Sequence, residues 1–199
     1  MRANSLNVLV LLLGALPAFA DEGWHEVRRE TGGLVVEARP VAGCAYEELR
    51  VRVRVPQRPA ALAEVVWTWR DDGVEARMVE RRKVLSERAN ERVVYQVVRP
   101  PLVSRRQSVV RFTREDAPDG RLVHISFDSV PGELPEHLDA VRVGLIRGDW
   151  RFESDGDHAT WLDYRCVSDP GGGLPAWLVA NAQQDLAVAF VREVMALAR

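Results

Sequence analysis

The sequence predicts an α+β fold in which a curved antiparallel sheet wraps around one long C-terminal helix and leaves an internal apolar cavity between them. Three observations carry this. Leu49, Val51, Val53 and Val55 alternate with Arg50, Arg52 and Arg54, the period of a strand with one buried and one wet face. Strand-like runs then recur between residues 76 and 167, separated by turn-forming residues. The chain closes on an amphipathic stretch from Pro175 to Ala198, about 36 Å long as a helix and able to cross a whole sheet. A sheet curled around such a helix encloses a concave apolar space.

In chain order, residues 1–20 read as a signal peptide. Arg2 precedes the apolar run Val8–Leu13, and Ala18-Phe19-Ala20 gives the small-x-small pattern cut before Asp21. The apolar run is shorter than the ~20 residues of a membrane span. Residues 21–199 then form one domain, expected in the periplasm or secreted. Trp24–Arg29 reads as a short leading helix or turn, broken by Thr31-Gly32-Gly33, and Leu34–Arg39 as a first strand ended by Pro40. After the strand ending at Val55, Ala60–Trp69 has the composition of a helix. Further strands are expected at Ala76–Ser86, Glu91–Val98, Gln107–Glu115, Arg121–Ser129, Val141–Ser154 and Ala159–Val167. Pro100-Pro101, Asp116–Gly120 and Asp155-Gly156-Asp157 are among the separators. In the last helix Pro175 suits the first turn, and Leu178, Ala182, Leu186, Phe190, Val194 and Leu197 form one apolar stripe.

Composition excludes several functions. The net charge of −2, with charged residues at 28%, argues against nucleic acid, which selects a basic face. His25, His124, His137 and His158 stand singly, without metal-ligand spacing, and His124 alternates with Ser126 and Asp128 on a wet face. No G-x-S-x-G elbow is present, and Ser104 and Ser108 have no neighbouring histidine. The acidic pairs lie in turns. No catalytic residue, metal or cofactor is therefore expected.

The segment Tyr164–Asn181 contains Asp169, Pro170, Gly171, Gly172, Leu174, Pro175 and Trp177 in the order D-P-G-G-x-L-P-x-W. It resembles the end of a START (steroidogenic acute regulatory protein-related lipid transfer) domain, where the last strand turns into the closing helix. Pro101–Val110 resembles the family's P-x-x-x-R-D-x-V segment, with Arg106 at the arginine and Gln107 where an aspartate is common. Val141-Arg142 and Gly148-Asp149-Trp150 resemble its V-R and G-x-W stretches. The similarity spans nearly all of residues 24–199. It implies the helix-grip fold, a lipid-sized tunnel between sheet and last helix, and a lid over Arg99–Ser104 that includes Pro100, Pro101 and Leu102. The strand pairing it implies brings the neighbourhoods of Cys44 and Cys166 together, while strand parity puts the two on different faces. A disulfide is left open.

The expected function is non-catalytic binding and transfer of one lipid or other hydrophobic molecule by a monomer in transient contact with membranes. The expected lining is Val53, Phe127, Val143, Tyr164, Leu178, Leu186 and Phe190. Arg111 lines it too if Val109 points inward, and is solvated if Val110 and Phe112 do. The alternatives are a cyclase or hydratase acting on an apolar substrate, and a partner-binding module whose interior is filled by aromatic side chains.

Overall fold

A computed structural model describes residues 23–68, 77–100, 103–130, 132, 134 and 139–198. The leader, Pro101 and Leu102 lie outside the described residues. The elements are β1 (His25–Arg29), β2 (Val35–Arg39), β3 (Glu48–Val55), α1 (Pro59–Thr68), β4 (Val79–Glu87), β5 (Glu91–Val98), β6 (Arg106–Asp116), β7 (Leu122–Ser129), β8 (Val141–Arg142), β9 (Leu145–Ser154), β10 (Thr160–Asp169) and α2 (Ala176–Leu197). They form one ten-stranded sheet in the order β1-β2-β3-β10-β9-β7-β6-β5-β4, with β8 paired in parallel to the start of β6. Every other pairing is antiparallel. The α+β, helix-grip layout expected from the sequence is the observed one.

Three local expectations are corrected. Residues 25–29 form a strand rather than a helix or turn. Gly32 and Gly33 at φ +84° and +81° reverse the chain tightly, which delivers these residues to β2 as a hairpin partner. The run expected at 141–154 is two strands: β8 pairs in parallel with the start of β6, and the chain then joins the antiparallel meander at Leu145. In α2, Pro175 is the cap residue, with φ −58° and ψ 131°, so the helix starts one residue later than expected.

One row of side chains runs across the concave face. Val51 lies opposite Tyr164, Tyr164 opposite Trp150, and Trp150 opposite Ile125. The next row joins Val53, Leu162, Phe152 and Val123. These residues form one apolar core with Leu62 and Ala63 of α1 and Ala187, Val188, Val191 and Val194 of α2. The end of α1 is tied to the sheet by Arg92, whose guanidinium lies 4.8 Å from the centroid of the Trp67 ring and donates to the Trp67 carbonyl. Arg114 adds a bond to Glu64 at 3.1 Å.

The α2 stripe is rotated from expectation. Val179, Ala187, Val188, Val191 and Val194 are buried, whereas Leu178 is exposed and Ala182 faces solvent. Around residues 176–182 the helix is apolar on most sides, so hydropathy fits two neighbouring stripes. The compact side chains further along choose between them by packing flush on the sheet.

Candidate ligand-binding site

Aromatic rings run along the middle of the concave face as a continuous ladder. Phe112 and Phe127 have ring centroids 5.8 Å apart, Phe127 and Tyr164 6.3 Å, Tyr164 and Trp150 4.3 Å, and Trp150 and Phe152 6.0 Å. Such pairs add about 0.5–1.5 kcal/mol each beyond area burial. The ladder depends on Gly148, which lies opposite Phe127 on one side and Cys166 on the other. The Phe127 ring occupies the space a side chain there would take. Cys166 packs against the same core, and burial pushes its thiol up to about 11 despite a hydrogen bond with Tyr164, as in a dry interior.

Of the expected lining, Val53, Phe127 and Tyr164 meet in this core, and Phe190 packs against it. Val143 is buried but outside that cluster, its N–H donating to the Gln107 carbonyl at 2.9 Å. Leu186 is only partly buried. Leu178 is 42% exposed and does not line the interior, because α2 turns Val179 inward instead. Arg111 does not line it either. Val110 and Phe112 point inward, and Arg111 projects from the opposite face, where it pairs with Glu91 at 3.5 Å. Pro100 of the expected lid is partly buried.

The ladder residues Phe112, Trp150 and Phe152 were not among the expected lining. A signal for two of them exists in β9, where Gly148, Trp150 and Phe152 alternate with Asp149, Arg151 and Glu153.

The front half of α2 is the loosely held side of the site. Val179 is the one buried residue between Ala176 and Leu186, and Trp177 is 69% exposed. A largely apolar cleft of about 210 Å³ separates this half from Ala45–Glu47 and reaches the core residue Leu49. Polar contacts span the region: Tyr46 donates to the Leu174 carbonyl at 3.3 Å, and Gln183 to the Ser168 carbonyl at 2.8 Å. A second cleft, of about 260 Å³, lies at the start of α1 beside Asp119–Arg121.

At the β5–β6 end the inward face becomes polar. Ser108 lies opposite Gln96, and Arg106, on the same face as Ser108, is buried. The Arg106 Nε donates to the Pro170 carbonyl at 3.4 Å, and Nη1 donates to the carbonyl and hydroxyl of Ser104. The arginine thus joins the segment before β6 to the Asp-Pro-Gly-Gly turn before α2. Asp169 stabilises that turn by accepting the Gly171 N–H at 2.8 Å.

The outer face of the sheet carries charge. Asp149 accepts from Arg165 at 2.6 and 2.9 Å and pairs with His124 at 2.9 Å. Burial raises its carboxyl, but the bonds from His124 and Arg165 outweigh this and hold it below the usual aspartate range. Asp163 shows the opposite balance. Burial pushes its carboxyl up beyond what Arg165 and Arg52 offset, and its Oδ1 has no hydrogen-bond partner. Among the described residues no cluster of side chains could hold a metal ion. Cys44 and Cys166 are free thiols.

A long helix gripped by a curved sheet over an apolar interior defines the helix-grip class. The chain belongs to the START domain family, whose profile matches residues 12–199. It is 24% identical to an uncharacterised protein of Pseudomonas aeruginosa, over 79% of this chain and 77% of that one. A STAR-related lipid transfer protein from Xanthomonas axonopodis superposes with a TM-score of 0.73 at 25% identity, covering 88% of this chain and 98% of that one. Human STARD10 superposes with a TM-score of 0.76 at 20% identity, covering 90% and 74%. No helix among the described residues is long and apolar enough to cross a membrane.

Proposed function

We propose that this protein binds one lipid or similar hydrophobic molecule between the sheet and α2, and carries it through water without changing it chemically. The observation that carries the reading is the apolar concave face, continuous from Val51 to Phe112 beneath a helix whose front half is weakly packed. Each methylene removed from water contributes about 0.8 kcal/mol, so an acyl chain laid along this face is held strongly. The names of the lipid-transfer relatives support the same reading.

The inward positions of β3, β10, β9 and β7 are dominated by apolar residues, which favours a carrier over a cyclase or hydratase needing an acid or base beside its substrate. Release proceeds by lifting the front half of α2 from the Tyr46 side, and exposed Trp177 and Leu178 bring that half into transient membrane contact. With the leader at residues 1–20 removed, the carrier works as a monomer in the periplasm or outside the cell.

Uptake tests the reading. The purified chain is mixed with vesicles carrying a pyrene-labelled lipid and then separated from them by flotation. One labelled lipid per protein is expected in the vesicle-free fraction, and a label-free protein fraction contradicts the proposal.

A further inference from the structure

The geometry points to Arg106 as the anchor for an anionic head, so that the ligand is an amphiphile bearing a carboxylate or a phosphate rather than a neutral lipid. This rests on the lipid-binding reading above and names the chemistry of its polar end. Arg106 is 4% exposed, and its bonds go to the Ser104 carbonyl, the Ser104 hydroxyl and the Pro170 carbonyl. Among the described residues it has no carboxylate partner. A buried charge paired only with neutral oxygens costs several kcal/mol, a cost that an incoming anion offsets.

Among the described residues the unused donor is Nη2. A guanidinium presents five N–H groups, and the bonds above engage Nε and Nη1 only. A β-carbon placed on Gly172 would sit 3.4 Å from Nη2, with the Val141 methyls at 3.7 and 3.9 Å, so the glycine keeps a side chain of its own off the donor. The next residue supplies no counter-charge. Gln107 is a neutral amide turned to the other face, where Oε1 accepts from Tyr95 at 3.2 Å and Nε2 donates to the Ala140 carbonyl at 3.0 Å.

The surroundings are those of an amphiphile's polar end. Ser108, 4% exposed, and Gln96 face each other on the inward side, and neither side chain hydrogen-bonds to a described residue. Along the same face, Val110 and Phe112 lead into the aromatic ladder. From Arg106 to Phe112 the strand covers about 20 Å, the reach of a long acyl chain. A head held at Arg106 therefore lies beside the turn that leads into α2, with its tail on the ladder. Guanidinium geometry suits carboxylate and phosphate alike.

Matched ligands of equal chain length test this at pH 8: oleic acid against oleyl alcohol, and dioleoyl phosphatidic acid against dioleoylglycerol. The native protein is expected to bind at least one anionic member roughly tenfold or more tightly than its neutral counterpart, and the pair with the larger ratio identifies carboxylate or phosphate. Arg106→Gln is expected to erase that ratio while keeping affinity for the neutral member, and Arg106→Lys to retain part of it. Equal affinity of the native protein for both members of both pairs overturns the inference and leaves lipid binding standing, even if Arg106→Gln does not fold. A folded Arg106→Gln protein that keeps the full ratio overturns it too. Binding of none of the four overturns both the inference and the lipid-binding reading.

Discussion

The ring of Phe127 lies directly over Gly148: a β-carbon on Gly148 would sit 2.5 Å from Cζ of Phe127 and 2.9 Å from its Cε2. The same β-carbon would lie 2.1 Å from the Arg165 carbonyl oxygen, which no side-chain rotation relieves. Gly148→Ala is therefore expected to destabilise the fold by about 1–3 kcal/mol and lower Tm by several degrees, read by thermal unfolding. An unchanged Tm would mean that the ring does not lie flat on the strand.

Trp150 joins two sections of the ladder, through Tyr164 at 4.3 Å and Phe152 at 6.0 Å. Trp150→Leu keeps an apolar side chain but breaks the ring series. Lipid uptake from vesicles is expected to fall several-fold while far-UV circular dichroism stays native. Uptake equal to the native protein's would place the ligand elsewhere.

The carboxylates of Asp149 and Asp163 predict opposite effects. Asp149 has a lowered native pKa, so its contribution is present above the unfolded value of about 3.9 and is lost as pH falls through the native one. Asp149→Asn is expected to cost about 1.5–3 kcal/mol near neutrality, the scale of charged hydrogen bonds. Asp163 has a raised native pKa. Its protonated form stabilises fully below about pH 3.9, and that contribution disappears as pH rises through the native value. Asp163→Asn is expected to leave Tm unchanged or raise it near pH 7. Thermal unfolding of both variants from pH 3 to 8 checks the pair, and a large loss of stability in Asp163→Asn at neutral pH would contradict the assignment.

Cys166 carries a thiol raised to about 11 by burial, so maleimide labelling at pH 7 is expected to modify it slowly. An intact mass consistent with two free thiols is expected before labelling. A mass two hydrogens lighter would show that Cys44 and Cys166 are joined.

Sequence periodicity suffices where one sheet face is buried and the other is wet. The alternation from Leu49 to Val55 maps directly onto the observed faces, with Val51 and Val53 inward and Arg52 and Arg54 outward. It fails at Val109-Val110 because the sheet is covered on both sides there. Val110 joins the main core, while Val109 packs with Tyr95 and Val97 against Val130 and Leu134. Adjacent buried valines erase the parity signal, and with it the orientation of Arg111. The rotation of α2 was illegible for a related reason. Trp177 and Leu178 are as apolar as the valines further along, yet they extend beyond the packed core. Arg106 was legible as a motif position. Its lack of a carboxylate partner among the described residues appears only once residues 104 and 170 are brought to it by the fold.

Native mass spectrometry of the chain from Asp21 to Arg199, purified from a bacterial periplasm and then extracted with solvent, tests the central claim most directly. The account predicts a one-to-one adduct whose extract contains a lipid. Protein that emerges empty and stays empty after incubation with vesicles would contradict it.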